Sequence, residues 1–344
     1  MERRSFLGAL GAAPAVTARP QPASSSRLPR KVVVGTVMQG FWVEHPGVTR
    51  RLAELCAIVD DMQAAAKRKY GRGVDLAILS ECVVTGEAGP GSRLRAVPLR
   101  GEFSDAFGAK ARELGCYIVA PTYLREPDDS ISNAAVLFGR KGEVAGIYRK
   151  VHLVVPPGTR EFENGCRPGG EVPVFDCDFG KLGIQICYDM EFDYGWDELA
   201  RQGAELVAFP TQSPQTSHPA SRAMRGRYYI VSSTWRSNAT VFEPTGKIPA
   251  QVLPPGRILV HELDLSYAIL PWTANLKNGE ALRAKFGDKV GYRYYHEEDC
   301  GIFWSNDPHM TVAEMAKSVG APEAEAFLDY VRGVYGGARV TGYR

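Results

Sequence analysis

Lys181-Leu-Gly-Ile-Gln-Ile-Cys-Tyr-Asp189 decides the fold class of this 344-residue chain, because an apolar run rich in isoleucine ends there on a thiol and gives way to a polar turn. Val172 to Phe175 reads as a strand, Asp178-Phe-Gly180 as a turn and Leu182 to Ile186 as the next strand, with a helix expected from Phe192 to Gln202. Cys187 then sits at the lip of a sheet, facing a helix start. A helix N-terminus lowers a thiol pKa and presents N–H groups to an oxyanion, which suits acyl transfer. A cysteine at a strand end also reads as small apolar packing, and this segment alone leaves both readings open.

Two further stretches bring chemistry to strand ends. Val74-Asp-Leu-Ala-Ile-Leu-Ser-Glu81-Cys is a buried-strand pattern with a carboxylate at its C-terminal end, where open α/β sheets place their sites. Glu81 is a candidate general base. In Ala145-Gly-Ile-Tyr-Arg-Lys150-Val-His-Leu-Val-Val155 a cation interrupts an apolar run, making Lys150 a candidate electrophile or oxyanion clamp.

Glu, Lys and Cys at three strand ends resemble the triad of the nitrilase, or carbon–nitrogen hydrolase, superfamily. The resemblance runs from about Lys31 to Leu265 through Ser80-Glu81, Tyr148-Arg-Lys150-Val-His-Leu153, Gly183-Ile-Gln-Ile-Cys187-Tyr-Asp189 and Gly203-Ala-Glu-Leu-Val-Ala-Phe-Pro210. It implies a four-layer α-β-β-α sandwich, an assignment the periodicity alone reaches only as far as α/β. It also implies that Glu81 serves as base and then acid, that Cys187 forms a thioester, and that Lys150 and the Tyr188 backbone N–H face the oxyanion. Such proteins often carry a second glutamate before a Pro-Gly, here in Gly158-Thr-Arg-Glu161-Phe-Glu163-Asn-Gly-Cys-Arg-Pro168-Gly169. Glu163 fits that spacing better and Glu161 is the alternative.

Cys187-Tyr188-Asp189 is similar to the amide and N-carbamoyl branches, with nitrile hydrolysis and N-acyl transfer as alternatives on the same triad. A catalytically idle binding protein of the same fold is the alternative from a different class. Asp189, together with Thr211, Gln212 and His218 of the loop after Phe209, is a candidate substrate contact. Arg236 at a later strand end is a candidate carboxylate anchor. A small amide or carbamoyl compound and water are the expected partners; no cofactor is expected, and the spacing of His152, Cys166 and Cys177 matches no common zinc pattern.

Strand and helix patterns alternate outward from these motifs. Strands are expected at Val32 to Val37, Leu76 to Leu79, Tyr117 to Thr122, Ala134 to Phe138, Glu143 to Tyr148, Leu206 to Phe209, Ile230 to Ser233, Thr240 to Glu243 and Ile258 to Asp264. Helices are expected at Arg50 to Arg68, Glu102 to Leu114 and Ser221 to Tyr229. A catalytic domain over 31–265 is followed by an extension over 266–344, containing Trp272, the run Tyr292, Tyr294 and Tyr295, and a helical stretch from Thr311 to Tyr335 broken at Gly320-Ala-Pro322. Tails of this kind in the superfamily often wrap a neighbouring subunit, so a homodimer or higher homo-oligomer is expected, the alternative being a tail packed on its own core.

A net charge of +2 with no long basic block gives nucleic acid no electrostatic footing. At the N-terminus, Glu2-Arg3-Arg4-Ser-Phe6-Leu7-Gly and the small apolar stretch Ala9 to Ala18 resemble a twin-arginine export signal, too short for a stable span, which implies a periplasmic location. Residues 19–30, rich in Pro, Ser and Arg, read as a disordered linker, so residues 1–30 form signal plus linker. Seven cysteines leave at least one thiol unpaired.

Overall fold

The computed structural model describes residues 25–86 and 93–337 of the chain. β1 (Lys31–Val37) shows why the architecture is layered: Val33 and Val37 join one apolar cluster, while Val32 and Val34 join another. A strand apolar on both faces must be covered on both. The first cluster lies under α1 (Val48–Tyr70), through Leu52, Leu55, Val59 and Met62, and under α2 (Glu102–Leu114), through Phe103, Phe107 and Ala111. α1 ends at Gly71, whose φ of 70° lets its N–H return to the Lys67 carbonyl at 3.0 Å.

That first sheet runs β13 (Ile258–Asp264), β1, β2 (Leu76–Ile78), β4 (Tyr117–Arg125), β5 (Ile131–Phe138) and β6 (Val144–Arg149), with β3 (Val97–Pro98) beside β4. A second sheet runs β12 (Ala250–Val252), β11 (Ala239–Phe242), β10 (Tyr229–Ser233), β9 (Leu206–Pro210), β8 (Gly180–Ile184) and β7 (Val174–Cys177). Leu182, Ile184, Leu206 and Val231 meet Val34, Ile78 and Val119 between the sheets. Val207, Phe209 and Ile230 on the opposite face of the second sheet pack on Trp196 and Leu199 of α3 (Asp193–Arg201) and Ala223 of α4 (Ser217–Gly226). The result is an α-β-β-α sandwich, as the motif resemblance implies.

Strand direction gathers the loops that matter. β1, β2 and β4 are parallel, β6 regains that direction after antiparallel β5, and β8, β9 and β10 are parallel to one another. A parallel bridge from Met38 to Thr234 aligns the two sheets, and the Thr36 hydroxyl donates to the Ser232 carbonyl at 2.7 Å. The chain therefore leaves β2, β6, β8 and β9 at one common edge.

Several expectations need correction. The helix placed at Ser221 to Tyr229 starts four residues earlier, at Ser217, because Pro219 occupies its first turn, where a missing N–H costs nothing. The helix expected from Phe192 to Gln202 is present as Asp193–Arg201, but an unexpected 3-10 turn over Cys187–Glu191 separates it from Cys187. The linker reading fails for residues 25–30: Arg30 forks onto Glu205 at 2.6 and 3.1 Å, and the Leu28 carbonyl accepts from Ser266. The expected export signal lies outside the described residues.

Beyond β13 the chain forms a small antiparallel sheet, β14 (Tyr267–Pro271), β16 (Cys300–Ser305) and β15 (Val290–Tyr295), with α5 (Glu280–Phe286), α6 (Val312–Lys317) and α7 (Ala324–Gly337). These strands were not expected from the sequence. Leu270, Phe303 and Met315 form a core of their own, and Tyr292 stacks on Phe303 at 5.2 Å. Tyr267, Ile269 and Ile302 join the inter-sheet core, and Arg293 grips the fully buried Glu243 at 2.7 and 3.0 Å. Through these contacts the described part of the extension packs on the two-sheet core. Trp272 remains largely exposed.

Candidate active site

Glu81 follows β2 by three residues and is almost fully enclosed. Its backbone is fixed from several sides: the Trp235 indole N–H donates to its carbonyl at 2.8 Å, and the preceding Ser80 hydroxyl donates to Thr234 O at 2.9 Å. The loop beyond is held by Arg51 on Val83 O (3.0 Å), His45 on Val84 O (2.9 Å) and Arg95 on Thr85 O (2.7 Å). Such support makes a carboxylate's position a property of the scaffold.

Lys150 leaves β6 into the same edge, and its ammonium has no solvent-exposed surface. Nζ donates to Glu81 Oε1 at 2.9 Å and to Glu163 Oε1 at 3.0 Å. Burial works against its charge, but the carboxylates of Glu81 and Glu163 outweigh burial and hold the ammonium well above the ordinary lysine range. Glu163 is therefore the glutamate beside Lys150, whereas Glu161 is exposed two residues away. Asn133, which the sequence reading missed, donates from Nδ2 to the same two oxygens, Glu81 Oε1 and Glu163 Oε1, both at 2.9 Å. Its signal was present: Ser132-Asn133 is the polar break in the otherwise apolar β5.

Cys187 opens the 3-10 turn with φ at 43°, the left-handed region that few non-glycine residues adopt. The expectation of a thiol depressed by a helix start is not met. Burial, then the charge of Glu81, push the Cys187 thiol up to about 12, against Lys150, the Thr211 hydroxyl and the Gln212 backbone N–H, which favour the thiolate. The resting group is a neutral thiol that needs a base.

Asp189 is corrected from substrate contact to scaffold. It is fully buried, and its carboxylate accepts from Tyr148 Oη (2.7 Å), Ile186 N (3.0 Å) and His152 N (2.9 Å), locking the Cys187 turn to the Lys150 segment. Thr211 and Gln212 likewise lie beside the Cys187 sulfur, where their O–H and backbone N–H favour the thiolate, and Thr211 is fully buried. His218 lies in the first turn of α4, half-exposed and 3.9 Å from Glu191. Arg236 is exposed, and its backbone carbonyl accepts from Asn238 N at 2.8 Å. Among the described contacts, neither side chain bonds to Glu81, Lys150 or Glu163. Tyr188 follows Cys187 in the 3-10 turn, its ring edge-on to Phe192 at 5.7 Å.

Thr211→Val keeps the volume and deletes one donor to the sulfur. Alkylation of Cys187 by iodoacetamide at pH 8 is expected to slow by about tenfold, the worth of one hydrogen bond to a charged group. Peptide mapping of the labelled protein measures it, and an unchanged rate would remove Thr211 from the site.

Among the described residues there is no group of three or more His, Cys, Asp or Glu suited to a metal ion, and no helix long and apolar enough to cross a membrane. All seven cysteines are unpaired.

Residues 38–270 match the family described as carbon-nitrogen hydrolase. Omega-amidase NIT2-A of Xenopus laevis is 25% identical over 223 residues, covering 58% of this chain and 80% of its own length. The deaminated glutathione amidase of Mus musculus is 30% identical over 153 residues, covering 40% of this chain and 47% of its own. Among solved structures, Saccharomyces cerevisiae Nit3, of branch 10 of the nitrilase superfamily, superposes with a TM-score of 0.60 at 23% identity, over 70% of this chain and 93% of that one. The Caenorhabditis elegans NitFhit protein gives 0.58 at 18% identity, over 70% of this chain and 62% of that one.

Proposed function

Because the chain belongs to the carbon-nitrogen hydrolase family and is an amidase-type enzyme acting on non-peptide C–N bonds, we propose that it cleaves a small amide or N-carbamoyl compound through a Cys187 thioester. The observation that carries this reading is the enclosed Lys150 ammonium, 2.9 Å from Glu81 and 3.0 Å from Glu163, at the edge where Cys187 ends its own strand segment. Burying three charged groups costs several kcal/mol per ion before pairing, a cost that a purely structural core avoids with apolar residues.

In the proposed sequence Glu81 takes the thiol proton and Sγ attacks the carbonyl carbon. The oxyanion forms against Lys150 Nζ and the Tyr188 N–H. The C–N bond then breaks as Glu81 returns the proton to the leaving nitrogen, releasing ammonia or an amine and leaving the acyl group on sulfur. Glu81 next takes a proton from water, with Glu163 helping to place it. Hydroxide adds to the thioester, the C–S bond breaks, and the thiolate recovers the proton from Glu81. One carboxylate thus serves both half-reactions.

Ammonia release from a panel of aliphatic and aromatic amides, N-carbamoyl amino acids and nitriles tests the reading. Release from amides or carbamoyl compounds supports it; release from nitriles alone moves the substrate class. Silence across the panel with an unreactive Cys187 favours an idle binding protein. Export through the Arg3-Arg4 segment and self-association belong to the same proposal. They are read by precursor retention in the Arg3→Lys, Arg4→Lys double variant and by sedimentation.

A further inference from the structure

We propose that Asn133 is a positioning residue that holds Glu81 against Lys150 and Glu163 through a neutral donor and decides which of its oxygens acts as the base. The inference rests on the reading of Glu81 given above. Asn133 lies near the start of β5, is 1% exposed, and its backbone carbonyl accepts from Lys150 N at 2.8 Å. Its amide and the Lys150 ammonium therefore reach the same place from adjoining strands.

Four atoms close a ring there: Glu81 Oε1, Lys150 Nζ, Glu163 Oε1 and Asn133 Nδ2, with every neighbouring donor–acceptor pair 2.9 or 3.0 Å apart. Both hydrogens of the amide are used in it. Turning the amide over would aim Oδ1 at two carboxylate oxygens, so the orientation is set by charge. Oδ1 is buried with no hydrogen-bond partner among the described residues, which native interiors seldom tolerate, so the amide faces the carboxylates at its own expense.

The ring explains three features of the site. One cation cannot neutralise two carboxylates, and two such groups sharing a site drive one of them to take up a proton. Asn133 opposes that with a neutral donor to each. Lys150 spends two of its three hydrogens in the ring and keeps one for the substrate oxygen. Glu81 Oε1 accepts twice, which assigns the thiol proton to Oε2.

The test is the pH profile of Cys187 alkylation by iodoacetamide in the full-length protein, which needs no substrate. With the thiol pushed up to about 12, reactivity at neutral pH depends on proton transfer to Glu81 and falls on the acid side, where Glu81 is itself protonated. Asn133→Leu removes both donations, and the acid limb is expected to move to higher pH by about one to two units, a tenfold to hundredfold change in proton concentration. Asn133→Asp, nearly isosteric and therefore informative even if the leucine variant fails to fold, is expected to move it further in the same direction. In a Glu163→Gln background only one carboxylate remains, and the leucine shift is expected to shrink below about threefold.

An unmoved limb in both Asn133 variants, or a rate reduced by one factor at every pH, would overturn the inference. The control separates this from failure of the underlying reading. Glu81→Gln must abolish the acid limb; a limb that survives there belongs to another group and overturns the assignment of Glu81 itself.

Discussion

Replacing Cys187 by alanine is expected to lower amide turnover by at least about 10⁴-fold while the protein stays folded. Removing the nucleophile of a covalent mechanism takes away the step rather than slowing it, and what survives is the weak catalysis of binding and oxyanion donors. The fold should persist because the thiol contributes little packing: it lies at the rim of the inter-sheet core and only partly within it. The left-handed φ of 43° is no worse for alanine than for cysteine, since both carry a Cβ. Ammonia release and thermal unfolding of the variant check the two halves separately. Retained turnover in a folded Cys187→Ala protein would end the thioester account.

Lys150→Met is expected to damage stability and chemistry together, which sets it apart from the cysteine variant. Removing the cation leaves Glu81 and Glu163 enclosed with Asn133 as the only donor they share among the described residues, and breaking a buried pair on one side typically costs about 3–5 kcal/mol. The loss of the oxyanion donor should lower kcat by about 10²- to 10³-fold with a smaller change in KM. The stability loss has a sign in pH. Without the ammonium, the enclosed carboxylates bind protons more tightly in the folded than in the unfolded protein. Stability relative to wild type is therefore partly restored as pH falls and worst at neutral pH and above. Adding Glu163→Gln should recover part of the stability and none of the activity. Urea unfolding across pH 5–8 measures both effects, and a Lys150→Met protein as stable as wild type would show that the three charges are not interdependent.

The layered fold was legible wherever one periodicity ruled a segment. α2 runs over the expected Glu102–Leu114, and β1 and β13 fall within a residue of their sequence patterns, because each has clean apolar spacing and a glycine or charged boundary. Legibility ended where local rules compete. Pro219 looks like a loop residue and is in fact a first-turn proline. The extension's strands hide in mixed polar sequence such as Val290–Tyr295, where alternation is set by packing on β16.

Within the candidate site, the residues easiest to read were those whose type clashes with their surroundings. A lysine ending an apolar run, a glutamate ending a strand and a cysteine before a turn each stand out in one dimension. Asn133 was overlooked despite the polar break it makes in β5, and Thr211 was read as a substrate contact, because their roles exist only across strands: Asn133 meets Glu81 from 52 positions away. Asp189 misled for the same reason, since its neighbour Cys187 suggested substrate while its partners, Tyr148 and His152, lie about 40 positions earlier in the chain.

The central claim is the covalent intermediate, and the most direct test is to look for it. The wild-type protein, mixed with an amide or carbamoyl compound that it turns over, is quenched in acid within the first turnovers and examined by intact mass and peptide mapping. The account predicts a mass increase equal to the acyl group, confined to the peptide carrying Cys187 and lost in Cys187→Ala. Rapid release of ammonia with the adduct on another residue, or undiminished release in Cys187→Ala, would contradict it.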